Sequence, residues 1–164
     1  MDALWLWKHL SEERRQRAAA AFYADQGLQE FHRAADAFIA RLKNFRPQFL
    51  RKLPPEKRSS YLAHLPLTPD LASQLLVSYH FAEHRPMMQD FLDALSIPNR
   101  EGLIHDDFDL SAPSEDALLQ AEAVIRGRYP ATDADLYLAT LRLQNPEVWG
   151  GLKSPLLEET VPAR

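Results

Sequence analysis

A chain of 164 residues, 46% hydrophobic and 26% charged with a formal net charge of −4, has the balance of one soluble globular domain. It contains no cysteine, which excludes disulfide frameworks, thiolate metal sites and cysteine nucleophiles. The N-terminal MDALWLWKHL has no basic region ahead of its apolar run, and that run is too short for a secretory leader or a membrane span, so a cytoplasmic location is expected.

Leu and Ala together number 48, whereas Val, Ile and Thr together number 12. Leu and Ala favour helices and β-branched residues favour strands, so the expected class is all-α. The first helix is expected from about residue 3 to 25, with Ser11 as an internal N-cap, and the second over 28–44. There Phe31, Phe38 and Leu42 fall on one stripe with Ala35 and Ile39, which assigns them to the core. Prolines 47, 54 and 55 enclose a short element, and Pro55 opens another that runs to about residue 65.

Thr68-Pro69-Asp70 offers an N-cap hydroxyl, a proline for the first turn and an early acid, a start signal for a helix ending near residue 84. A short helix over 87–96 and a long loop over 97–113 follow. Ser114 caps a helix to about residue 129, Pro130 breaks it, and Thr132 caps a last helix to about residue 144. The expected architecture is a single compact domain over 1–150. It has six to eight helices in antiparallel hairpins, as a bundle or a short repeat-like array, and residues 151–164 form a frayed tail. Pro69 and Pro86 bracket one helix at the same spacing as Pro113 and Pro130 bracket another. This suggests a weak repeat of segments 69–103 and 113–152.

Residues 80–84 read HFAEH, the pattern H-x-x-E-H. On a helix, residues four apart share a face, so two imidazoles can converge on one ion. The pattern resembles the signature of one class of zinc peptidases. That resemblance implies His80 and His84 as ligands, Glu83 as the base that takes a proton from metal-bound water, and a distal acid such as Glu158 or Glu159. His105 or Asp106 is the nearer alternative for the third ligand. The resemblance covers five residues, and the chain lacks the strand composition of that family. The plainer reading is that His80 and His84 are structural side chains on a polar strip of a packed helix, with no metal or other cofactor.

The acidic run His105 to Asp109 lacks the turn glycine and bidentate acid of a calcium loop and reads as solvated. The N-terminal Leu4, Trp5, Leu6 and Trp7 surround a helix instead of forming one face, which favours packing over a membrane surface. No phosphate-binding glycine loop, dinucleotide fingerprint or nucleophile elbow is present.

Charge is segregated. Residues 1–60 carry 12 Lys/Arg against 7 Asp/Glu, a net +5, and residues 61–164 carry 7 against 16, a net −9. Arg41, Lys43, Arg46, Arg51, Lys52, Lys57 and Arg58 lie close together with only Glu56 opposing, and Phe45 and Phe49 lie among them. Missing catalytic constellations and segregated charge point to a non-catalytic helical protein-interaction or adaptor module. Its contact surface is read as Arg46, Arg51, Lys52, Lys57 and Arg58. Its partner is another protein or a second copy. Two other readings remain: a metal-dependent hydrolase at His80, Glu83 and His84, and nucleic-acid binding through residues 41–58, where cations would hold a backbone and aromatics would stack bases.

Overall fold

Several helix starts in this chain are written in short polar side chains and others in prolines. In a computed structural model, which describes residues 2–158, Asp2 caps α1 (Ala3–His9) by accepting from the Trp5 amide at 3.0 Å. Leu10 is extended, and Ser11 then caps α2 (Glu12–Ala24) through the Arg14 amide at 3.3 Å, so the break at Ser11 is real. Asp25 starts a 3-10 turn over Gln26–Leu28. α3 (Gln29–Lys43) follows and stops where Asn44 turns left-handed, with φ 55°. Prolines occupy the first turns of α4 (Pro47–Lys52), α5 (Pro55–His64) and α6 (Pro69–Glu83), where a missing amide costs nothing. Thr68 caps α6 through the Leu71 amide.

The chain falls into two compact units that divide inside α6, after Tyr79. In the first, residues 2–79, α2 packs along α5, and Ala18, Ala19 and Phe22 of α2 and Leu62 and Ala63 of α5 are fully buried. Small residues at such a seam let helix backbones approach closely. Asp36 of α3 accepts from the Tyr23 hydroxyl at 2.9 Å and from Arg58 at 3.4 Å, and the Arg58 guanidinium lies 4.9 Å from the Tyr23 ring centre. One polar cluster thus ties α2, α3 and α5.

The expected core stripe of α3 is only partly buried. Ala35 and Ile39 are inside, but Phe31 is 51% exposed, Leu42 is 44% exposed and Phe38 is half-buried. The apolar face of α3 is wider than its neighbours cover, and Phe31, Phe38 and Leu42 lie on its uncovered flank.

In the second unit, α7 (Arg85–Ala94), α8 (Glu115–Arg128) and α9 (Ala131–Gln144) enclose one core. Met87, Phe91 and Leu92 meet Leu118, Ala121 and Ile125 from α8 and Tyr137 and Leu138 from α9. The one-turn α10 (Pro146–Trp149) brings Trp149 to within 5.8 Å of the Phe91 ring. Part of the 97–113 loop forms a minimal antiparallel hairpin, β1 (Asn99–Arg100) and β2 (Leu103–Ile104). Its two-residue turn places Glu101 and Gly102 at φ 51° and 85°, the left-handed pair that such a hairpin requires. A side chain at Gly102 would also meet the Met88 Cβ at 2.6 Å.

Part of the segment expected to fray is held. Leu152 and Ser154 are buried, and the Lys153 amide donates to buried Glu122 at 3.0 Å. Arg142 and Arg126 donate to the Leu152 and Lys153 carbonyls, and α11 (Pro155–Glu158) follows. No helix among the described residues is long and apolar enough to cross a membrane.

Candidate functional site

HFAEH lies at the end of α6 and is built from the second unit's own side chains. His80 is 2% exposed. Its Nε2 is 3.0 Å from the Thr140 Oγ1, and its Nδ1 is 3.0 Å from the His84 Nδ1. The proton positions follow from one fixed point. The Thr140 hydroxyl donates its only hydrogen to the Leu136 carbonyl at 2.7 Å, so toward His80 it accepts. His80 therefore carries its proton on Nε2, and its bare Nδ1 accepts from the His84 Nδ1–H. The other His84 nitrogen, Nε2, faces the Asp133 carboxylate at 3.7 Å, an ion pair when that ring is charged.

The arrangement keeps His80 neutral. Burial, and then the neighbouring His84, lower its pKa from 6.5 to about 3. The Tyr137 ring closes the other side, edge-on at 5.5 Å. Glu83, the base implied by the peptidase pattern, is exposed on the last turn of α6.

The two Nδ1 atoms are close enough to hold one ion between them at about 2.0–2.1 Å each. A third donor is what the geometry lacks: among the described residues, no group of three or more His, Asp or Glu side chains could hold a metal ion. Asp133 addresses the far nitrogen of His84. His105 is exposed after β2 and lines a shallow pocket with Pro98, Asp107 and Phe108. Asp106 is likewise exposed. The Glu158 side chain and all of Glu159 lie outside the described residues.

The other candidate is the cationic stretch of the first unit. Arg46 precedes α4, Arg51 and Lys52 end it, and Lys57 lies in the first turn of α5; all four are exposed. Among the described residues none of them, nor Arg41 or Lys43, takes part in an ion pair. Arg58 differs: it is spent inside the unit on Asp36 and the Tyr23 ring.

Aromatic rings sit among these cations. Phe45 packs edge-on to Phe49 at 5.1 Å and to Tyr61 at 5.5 Å, and Phe49 is 48% exposed. Arg41 stands 5.8 Å over Phe38, and Lys43 stands 5.7 Å over Tyr61. Beside this cluster, α3 and the start of α6 enclose a groove of about 670 Å³. Phe31, Phe38 and Leu71 line it with Ala34 and Ala37, and Arg41 and Asp70 supply its charges.

Two features of these sites escape a sequence reading. Thr140 and Asp133 belong to a helix some 50–60 residues beyond HFAEH, with no local signal to link them. The groove pairs the α3 flank with α6, which periodicity along α3 alone does not reveal. Comparison with protein-family models, curated proteins and solved structures finds no match to this chain.

Proposed function

We propose that this chain is a non-catalytic helical protein-interaction module, acting in the cytoplasm, whose contact surface is the cationic, aromatic α3–α4 face. One observation carries the reading: Phe31, Leu42 and Phe49 are exposed beside six cations that form no ion pairs among the described residues. Uncovered apolar side chains rimmed by unneutralised charge are what a partner surface supplies and solvent does not. The test is affinity capture with wild type and with Arg46, Arg51, Lys52 and Lys57 changed to Glu. Arg58 is left intact because it holds α5 to α3. Loss of specific partners is expected, and identical recovery by both proteins rejects this surface.

A second reading, nucleic-acid binding, draws on the same cations and on Phe49 as a stacking platform. It requires affinity for labelled DNA or RNA that falls steeply with salt as counterions are released; no binding at about 50 mM salt removes it. Metal-dependent hydrolysis with Glu83 as base rests on the facing Nδ1 atoms of His80 and His84. We expect elemental analysis of untagged protein to find no stoichiometric metal. One zinc, iron or manganese per chain, lost in His80→Ala/His84→Ala, would put that reading first.

A further inference from the structure

The groove between α3 and α6 is shaped for one kind of occupant. Its α3 wall runs from Phe31 to Arg41. At about 1.5 Å per residue that is about 15 Å, the length of roughly three helical turns. Three alanines (Ala34, Ala35 and Ala37) line it together with Phe31, Phe38 and Leu71. Small residues interspersed with bulky apolar ones let another backbone come close and leave room for large apolar anchors. Anchors at i, i+3 or i+4, and i+7 on an incoming helix span about 10 Å and fit within this length.

Charge gives the occupant a polarity. At the Phe31 end α3 presents Glu30 and Arg33, both exposed and of opposite sign. At the other end Arg41 lines the groove, and beyond it the chain presents Lys43, Arg46, Arg51 and Lys52, none in an ion pair among the described residues. Asp70 is the one acid in the lining. We infer that the groove receives an amphipathic helix of a partner protein, with its apolar face seated over Ala34 and Phe38 and an acidic cluster at the end that overlies Arg41 and Arg46. A second copy of the chain fits less well, because it brings the same cations to the contact. A nucleic-acid strand would find one cation, Arg41, in an otherwise mostly apolar lining. This inference rests on the interaction-module reading and specifies its partner.

The test is panning of a displayed library of 16- to 18-residue helices. The apolar positions i, i+3, i+4 and i+7 are fixed, and the flanks are randomised in charge. The targets are the wild-type chain and Ala34→Trp, which fills the groove from an exposed position. Circular dichroism checks that both are folded. Expected are clones with acids clustered at one end, binding Ala34→Trp about tenfold or more weakly. Arg41→Glu/Arg46→Glu should lose the preference for acids while keeping the apolar one.

Three results would overturn the inference: neutral or basic flanks, affinity unchanged by Ala34→Trp, or no enrichment over the blocked protein. So would an oligonucleotide that binds both proteins alike and displaces the selected peptides, or concentration-dependent self-association that Ala34→Trp abolishes. If the cationic surface still loses captured partners on charge reversal while the peptides ignore Ala34→Trp, the module reading stands and the groove assignment falls.

Discussion

The flank of α3 and the polar strip of HFAEH invert each other. On α3, Phe31 and Leu42 are apolar and lie about half exposed. At the end of α6, His80 is polar and is buried, yet both of its ring nitrogens have partners. Polarity alone therefore locates neither residue. A polar group goes inside when the fold can meet each of its hydrogen bonds, and an apolar group stays outside when no neighbouring element reaches it. The buried histidine is held by Thr140, His84 and Tyr137 of its own unit. The exposed phenylalanine is covered on only one side by the elements packed near it.

The contrast is broken most directly by matched phenylalanine truncations. Phe91 is fully buried between Tyr137 and Trp149, and Phe91→Ala should cost about 3–5 kcal/mol in chemical denaturation. Phe31→Ser should change stability by no more than about 0.5 kcal/mol. A large loss from Phe31→Ser would mean that the α3 flank is core after all.

Removing the fixed point of the histidine relay sharpens the comparison. Thr140→Val leaves the His80 Nε2–H without its acceptor in a buried site, and a cost of about 1–3 kcal/mol is expected. Thr140→Ser should restore most of it. A neutral outcome for the valine variant would show that His80 does not depend on that hydrogen bond.

Acidification acts next. His80 takes up a proton near pH 6.5 when unfolded and only near pH 3 when folded, so below pH 6.5 the unfolded state binds more protons. Stability is then fully present above pH 6.5 and is lost as pH falls, by about 2 kcal/mol at pH 5 for this group alone. His80→Gln should flatten that slope.

His64 in the first unit has the opposite sign. Its pKa is raised by its hydrogen bond to the Ser60 carbonyl and then by Glu12, so its contribution is present below pH 6.5 and fades as pH rises through the raised value. It is half exposed, and its effect on a denaturation curve should be the faintest of these. A stability profile that rises on acidification would reverse the ranking of the two histidines.

These residues also show what a sequence carries. The helical class, the caps at Ser11, Thr68 and Ser114 and the break at Pro130 are local chemistry, and they are found where the chain places them. The helix expected to be capped by Thr132 instead starts at Ala131, with Pro130 before it and no side-chain cap. The hairpin at 99–104 is local too, but its turn is Glu-Gly in place of the more usual Asn-Gly or Asp-Gly, and it reads as loop. Phe31, Phe38 and Leu42 fail for a different reason. Spacing reports that a face is apolar, and coverage depends on distant helices. For HFAEH the pattern is plain, but its partners Thr140 and Asp133 are fixed only by how residues 80–84 meet α9 inside the second unit.

The tryptophans turn the division of the chain into something measurable by light. Trp149 is the single tryptophan after residue 79, packed near Phe91, and Trp5 and Trp7 both lie on α1. In Trp5→Phe/Trp7→Phe all indole emission comes from the second unit, and in Trp149→Phe all of it comes from the first. Each half of the molecule therefore carries its own fluorophore, and a denaturant titration of the two variants separates one melting event from two.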